Sequence, residues 1–271
     1  MEKPLKEFRC CRNSFFDPVK KRGHIWIGTS NVVVPGNKST FPREFQDKSR
    51  LHYYSSLFNT VEINSSFYKI PMRTTLEKWS RDVPADFRFS LKLYKEITHA
   101  KELKGGLDYL DRFMKTAAGA GNKKGCLLVQ FPGKITLGFF NEVENILGEL
   151  DKLDQYGEWR KAVEFRHPGW FIRETWELLD ETGASMVLED FPKARQEEHR
   201  GKANFIYMRF HGPTGDYRGS YSNKFLRDKA KQIGRWLGEG MDVYVYFNNT
   251  IGNAFGNAVE LQNLVEKVSG K

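Results

Sequence analysis

Eight short runs of β-branched and aromatic residues recur along the chain, each followed by a polar loop, and nothing else in the sequence constrains the fold as strongly. They span 24–30 (HIWIGTS), 60–64 (TVEIN), 87–92 (FRFSLK), 125–131 (GCLLVQF), 161–165 (KAVEF), 184–190 (ASMVLED), 204–210 (NFIYMRF) and 242–248 (DVYVYFN). Helical spacing fills 43–57, 74–81, 106–117, 138–154, 172–181, 223–238 and 254–268. Strands alternating with helices share a sheet through parallel crossovers. Eight such units in one α/β domain favour a single (β/α)8 TIM barrel, parallel and eight-stranded, over an open doubly wound sheet. The 271 residues match the ~250 of one such barrel. They divide into a short basic N-terminal extension, 1–23, and a barrel domain, 24–271. The sixth crossover is the exception: thirteen residues separate Asp190 from Asn204, and Pro192 leaves little room for a helix.

Several function classes drop out early. The first strand is not followed by G-x-G-x-x-G, which argues against dinucleotide binding, and no G-x-S-x-G elbow is present for a serine hydrolase. Cys10 and Cys11 sit together in the basic extension and Cys126 lies in an apolar run, so neither a disulfide framework nor a C-x-x-C zinc site is expected. The six histidines form no H-x-H or H-E-x-x-H, and the mouth carboxylates stand beside arginines. No metal and no cofactor are therefore expected. With no apolar run near ~18 residues and no secretory centre at the amino terminus, a cytoplasmic protein without membrane contact is expected. A net charge of +9 favours anionic partners, although the basic residues are spread rather than massed.

In a barrel, chemistry collects where strands end in their carboxyl-terminal loops. Here those ends are polar: Thr29 and Ser30, Glu62 and Asn64, Lys92, Gln130, Glu164 with Arg166 and His167, Glu189 and Asp190, Arg209 and His211, and Asn248 with Asn249. Residues two apart on a strand share a face, which pairs Glu62 with Asn64, Glu164 with Arg166, Arg209 with His211 and Tyr246 with Asn248. Charges converging on one buried rim must meet each other, water or a ligand. Glu62 and Glu164 are the candidate acid and base, with His167 and His211 as proton carriers. Glu164 can equally be the ion-pair partner of Arg166, and His167 the cap of the next turn. Arg166 and Arg209 are expected to hold negative charge, and Asn64, Lys92, Gln130, Tyr246, Asn248 and Asn249 to position the ligand. The glycine-rich loop after the seventh run, HGPTGDYRGSYS, adds Tyr217 and Arg218 and resembles an anion cradle. The helix starting near Gly252 or Asn253 offers a second place for a phosphate.

The ordered motifs IGTS, FNTVEINSSFY, FRFSLKLYKEITH, VQFP, VEFRHPGWF, YMRFHGPTGDYRGSYS and VYVYFNN resemble the DUF72 family, also called YecE-like proteins, over residues 25–268. That resemblance implies a TIM barrel of unsettled biochemical role. It also implies a Gly-Trp-Ser-Tyr type segment after the first strand, where this chain has Asn31, Val32, Val33 and Val34, so the aromatic wall beside the mouth is expected to be missing. Two readings follow. One is a hydrolase or lyase acting on an anionic or polyhydroxylated substrate containing a sugar or phosphate, with a two-carboxylate glycosidase as one version. The other is a non-catalytic nucleic-acid- or ligand-binding module using the net charge and the aromatics Tyr53, Tyr68 and Tyr217.

Overall fold

The computed structural model describes residues 21–155 and 157–270, so nearly all of the basic extension, with Cys10 and Cys11, lies outside the described residues. Strands form where the eight runs were read: β1 (Ile25–Thr29), β2 (Thr60–Ile63), β3 (Arg88–Lys92), β4 (Lys124–Phe131), β5 (Arg160–Phe165), β6 (Ser185–Met186), β7 (Leu188–Glu189), β8 (Phe205–Phe210) and β9 (Asp242–Phe247). All pair in parallel, in two sheets ordered β2-β3-β4-β5-β6 and β1-β9-β8-β7. The sixth run is thus two short strands. Ser185 and Met186 pair with β5, Leu188 and Glu189 pair with β8, and Val187 between them still donates its N–H to Val163 O. One continuous segment changes partners there and carries the chain from one sheet to the other.

The second seam, between β1 and β2, is stitched by side chains. Asn59 takes the place of a ladder residue, accepting from Ile27 N at 3.1 Å and donating to Ile25 O at 2.8 Å. The Tyr54 hydroxyl accepts from Thr29 N and donates to Thr60 O. Only toward the strand ends do the backbones meet, through a parallel bridge between Ser30 and Glu62 and a 2.7 Å bond from Asn31 N to Glu62 O. Gly28 permits this approach, since a Cβ there would fall 2.2 Å from Thr60 O.

Each strand is buried on both faces, as parallel sheets covered by helices require. Along β4 the alternation is explicit: Leu127, Val129 and Phe131 join the large core beneath the helices, whereas Cys126 and Leu128 join a second core between the sheets. That inner core also holds Ala162, Val187, Phe205, Tyr207, Tyr244 and Tyr246. The helices are α1 (Arg50–Ser55), α2 (Ser65–Tyr68), α3 (Arg73–Asp82), α4 (Lys95–Thr98), α5 (Leu107–Ala117), α6 (Phe140–Leu153), α7 (Arg173–Glu181), α8 (Asn223–Gly238) and α9 (Ala254–Val268). In α8 the buried positions Leu226, Ala230, Ile233 and Leu237 make one apolar stripe. The helix read over 43–57 is shorter than its pattern because Ser49 is extended and caps a fresh start, accepting from His52 N. After β7 there is a turn instead of a helix, closed by paired bonds between Glu189 and Gln196. Among the described residues no helix is long and apolar enough to cross a membrane.

Candidate functional site

At the carboxyl ends of the strands lies a cavity of about 260 Å³, lined by Asn31, Asn64, Phe67, Tyr68, Lys92, Gln130, Arg166, Arg209, Tyr217, Asn248 and Thr250. Its floor is an ion network. Arg209, only 1% exposed, donates Nε to Glu62 Oε2 and Nη2 to Glu62 Oε1, both at 2.9 Å, and Nη1 to Glu164 Oε2 at 2.6 Å. Glu62 also accepts from Ser30 Oγ at 2.6 Å and Tyr207 OH at 2.7 Å. Burial alone would raise both carboxyls, but the guanidiniums outweigh it. Arg209 pulls Glu62 below the usual carboxylate range, and Arg166 with Arg209 does the same to Glu164. Neither glutamate is a protonated acid, and every Glu62 oxygen is already engaged.

Arg166 forms the boundary between floor and cavity. Its Nε donates to Glu164 Oε1 at 2.5 Å and its Nη2 to His211 Nε2 at 2.8 Å, while its guanidinium stacks 4.0 Å from the Phe191 ring centroid. A guanidinium has five N–H groups, so three on Arg166 have no acceptor among the described residues. Two arginines address His211 Nε2, Arg209 Nη1 at 3.3 Å being the other, so that nitrogen is an acceptor and the proton sits on Nδ1, facing Asp190 Oδ1 at 3.3 Å. Burial, and then the two guanidiniums, lower its pKa against the pull of Asp190. His211 is therefore a neutral acceptor that holds arginines in place. Asp190 is fixed in turn by the Tyr221 hydroxyl and by His211 N.

Lys92 stands apart. Its ammonium lies 4.2 Å from the Phe67 ring centroid, and among the described residues it has no carboxylate within 4.0 Å and no hydrogen-bond acceptor. Burial first, and Arg209 second, push it down to about 8. The Asn64 Oδ1 at the same cavity is buried without a donor. Below the rim, Glu189 Oε2 is also unpartnered by hydrogen bonds, and burial together with the Glu164 charge raises that carboxyl well above its usual value. Glu164, Glu189 and His211 bring one ligand atom each within 4.8 Å of one another. Arg166 already reaches all three, with Nε 3.4 Å from Glu189 Oε2, so the trio is a socket filled by a guanidinium.

Of the residues read from sequence, Asn64, Lys92, Gln130, Arg166, Arg209, Tyr217 and Asn248 line the cavity. Glu62, Glu164 and His211 lie directly behind them. The other four neither line the cavity nor stand directly behind its lining. His167 caps the turn after β5, its Nδ1 accepting from Gly169 N. Tyr246 is sealed in the inner core, its hydroxyl bonded to Thr60 Oγ1 and Ser90 Oγ. Asn249 ties Gly219 O to Asn257 Oδ1, and Arg218 is exposed on the loop. In the glycine-rich loop read as a backbone cradle, several amides are engaged within the protein. Gly212 N donates to Tyr221 OH, Gly215 N to Gly212 O and Tyr217 N to His211 O, so these three amides are not free for an anion. At the start of α9, Asn253 N is covered by Gly219 O.

Comparison with known proteins decides the family. The family model described as "Protein of unknown function DUF72" matches residues 26–271. The chain belongs to the DUF72 family. It is 26% identical over 259 residues to the UPF0759 protein YunF of Bacillus subtilis, covering 84% of this chain and 90% of that one. A DUF72 structure from Enterococcus faecalis, EF0366, superposes with a TM-score of 0.72 at 21% identity, covering 91% of this chain and 96% of that one. The 3-keto-D-glucoside 4-epimerase YcjR of E. coli superposes with a TM-score of 0.53 at 12% identity, over 92% and 100% of the two chains. At such identities these structures establish a TIM-barrel-like α/β fold and nothing about chemistry.

Within the DUF72 pattern, the substitution of Asn31 to Val34 after β1 does not leave the mouth without aromatics. Phe67 and Tyr68 from α2 and Tyr217 from the loop after β8 line it instead. Asn31 and Tyr217 are moreover two of the four non-glycine residues with left-handed backbone among the described residues, at φ 63° and 66°. Asparagine tolerates that region, but for tyrosine it stores on the order of 1 kcal/mol, a strain met most often at functional sites. Sequence reasoning left Asn31, Phe67 and Thr250 out of the site. It named Glu189 and Asp190 only as a strand end, although Glu189 pairs in register with Arg209 and so shares its face.

Proposed function

We propose that the two sheets together act as one closed (β/α)8 barrel, joined through Val187 and the Asn59–Tyr54 seam, and that its mouth binds a small, polyhydroxylated anion such as a sugar acid or sugar phosphate. The observation carrying this reading is Lys92: a cation facing a cavity with no carboxylate within 4.0 Å among the described residues, beside an arginine with three N–H groups that meet no acceptor among them. Lys92 is half-buried, and an anionic ligand would supply the counter-charge that its surroundings do not place against it. Asn64, Gln130 and Asn248 supply donors and acceptors for hydroxyls, and Tyr68, 71% exposed, offers a ring face at the rim.

For catalysis the ionisation states favour a lyase or an isomerase-like proton transfer over a two-carboxylate glycosidase. The latter needs a protonated carboxyl facing the cavity, whereas Glu62 and Glu164 are both held ionised and Glu189, the carboxyl that burial raises, lies outside the cavity lining. Lys92, near 8, is the better proton carrier at neutral pH. The structural likeness to a sugar epimerase is compatible with this class and does not single out a substrate. The test is calorimetric titration with inorganic phosphate, small sugar phosphates and sugar acids. We expect one site per chain, with binding weakened at least ~10-fold by Arg166→Met and unchanged by Arg218→Ala. If none of these ligands binds and single-stranded RNA binds with a steep salt dependence instead, the reading is replaced by that of a nucleic-acid module.

A further inference from the structure

We infer that Lys92 is a covalent catalytic group, forming a Schiff base with the carbonyl of a small anionic 2-oxo acid or keto-phosphate. This rests on the anion-binding reading of the same cavity and adds a bond to it.

The argument starts from a contrast among lysines. Those drawn deeply into the fold are satisfied. Lys123 donates to the carbonyls of Ser80 and Val83, and Lys161 pairs with Asp151. Lys124 pairs with Glu158 and Lys229 with Glu197, their side chains being 12% and 13% exposed. Lys92 reaches a cavity built of polar side chains and is given no acceptor among the described residues. A stabilising role would call for a partner. A nucleophilic amine requires the opposite: its lone pair must be free, so nothing should lock the ammonium in its charged form. Partial burial and the field of the neighbouring guanidiniums favour the neutral amine, against the cation–π attraction of the Phe67 ring 4.2 Å away.

The same neighbours would orient a substrate. The unspent N–H groups of Arg166 can hold a carboxylate or phosphate in parallel bonds, leaving the carbonyl of a short molecule toward Lys92. The neutral Nζ attacks the carbonyl carbon, forming the N–C bond while the C=O π pair moves to oxygen. That oxygen takes the two amine protons and leaves as water, and the imine nitrogen takes one proton from solvent. The resulting iminium draws in the electron pair of an adjacent C–H bond as its proton leaves to solvent, giving an enamine; the enamine takes a proton back on carbon, and water hydrolyses the restored iminium to the carbonyl product and the free amine. No oxidant, reductant or metal enters the balance.

The experiment is reductive trapping. The full-length protein is incubated with pyruvate or with dihydroxyacetone phosphate and sodium cyanoborohydride, then followed by intact mass and peptide mapping. A single adduct on Lys92 is expected, forming at least ~10-fold faster than on any other lysine, and lost in Lys92→Met and Lys92→Arg. Absence of an adduct with both probes, or labelling that tracks surface exposure and is equal in wild type and Lys92→Arg, overturns the inference. Calorimetry with the same probes separates the two claims. Binding lost in Arg166→Met without trapping removes the covalent step and leaves anion binding standing, whereas neither binding nor trapping removes both.

Discussion

The floor and the wall of the cavity are built from the same residue types and treated in opposite ways. On the floor, Glu62, Glu164 and Arg209 exchange charge-assisted hydrogen bonds, and the Glu62 carboxylate has four donors. On the wall, Lys92, three N–H groups of Arg166 and Asn64 Oδ1 are left without partners among the described residues. The low dielectric that strengthens the first group makes the second costly. Charge on the floor serves to fix side chains in place, and charge on the wall is held ready for something that is not protein. One cluster of glutamates, arginines and a lysine thus contains two populations, and partner counting separates them.

The contrast can be broken most forcefully at Arg209. Arg209→Met leaves Glu62 and Glu164 buried with much of their compensation gone, and should cost about 3–5 kcal/mol in urea denaturation, or prevent folded protein from accumulating. If it fails to fold, Glu62→Gln provides the fallback, expected to lose less because a neutral amide still meets Ser30 and Tyr207. Lys92→Met should act in the other direction, raising stability by roughly 1–3 kcal/mol because it removes an unpaired cation of similar volume.

The pH dependence sharpens the point. A lysine whose folded pKa is depressed to about 8 destabilises the fold fully at lower pH, and that penalty is relieved as pH rises from about 8 toward the unfolded value of 10.5. Wild type should therefore gain stability relative to Lys92→Met across that window in denaturation series at fixed ionic strength. Glu189, raised in the fold, has the sign opposite to an ordinary paired carboxylate: stability is lost as pH climbs through the folded pKa. Glu189→Gln should flatten that loss and add about 1 kcal/mol at neutral pH, read by thermal melts at two pH values. The smallest effect belongs to His167→Ala, which removes one turn cap and should cost at most ~1 kcal/mol without altering phosphate affinity.

Much of this architecture is written locally. The strand runs, the helical stripe of α8 and the missing helix after Pro192 follow from periodicity and proline chemistry, and the structure follows them. The interruption at Val187 and the side-chain stitching by Asn59 and Tyr54 do not, because they depend on which strand lies alongside, a relation across the fold. The site divides in the same way. Strand ends are legible from a two-residue alternation, so most cavity residues could be read. Roles could not. Whether His211 gives or accepts a proton is fixed by two guanidiniums arriving from β8 and the end of β5, and whether His167 faces the cavity or caps a turn is fixed by one backbone N–H. Tyr246 shares a strand face with Asn248, yet lies one layer deeper, where Thr60 and Ser90 claim its hydroxyl.

The most direct measurement is the melting temperature of Lys92→Met with and without millimolar inorganic phosphate, set against wild type. A higher baseline than wild type combined with no phosphate-dependent rise is the predicted result. A lower baseline with the phosphate response intact would contradict it, making Lys92 part of the scaffold and placing the anion elsewhere.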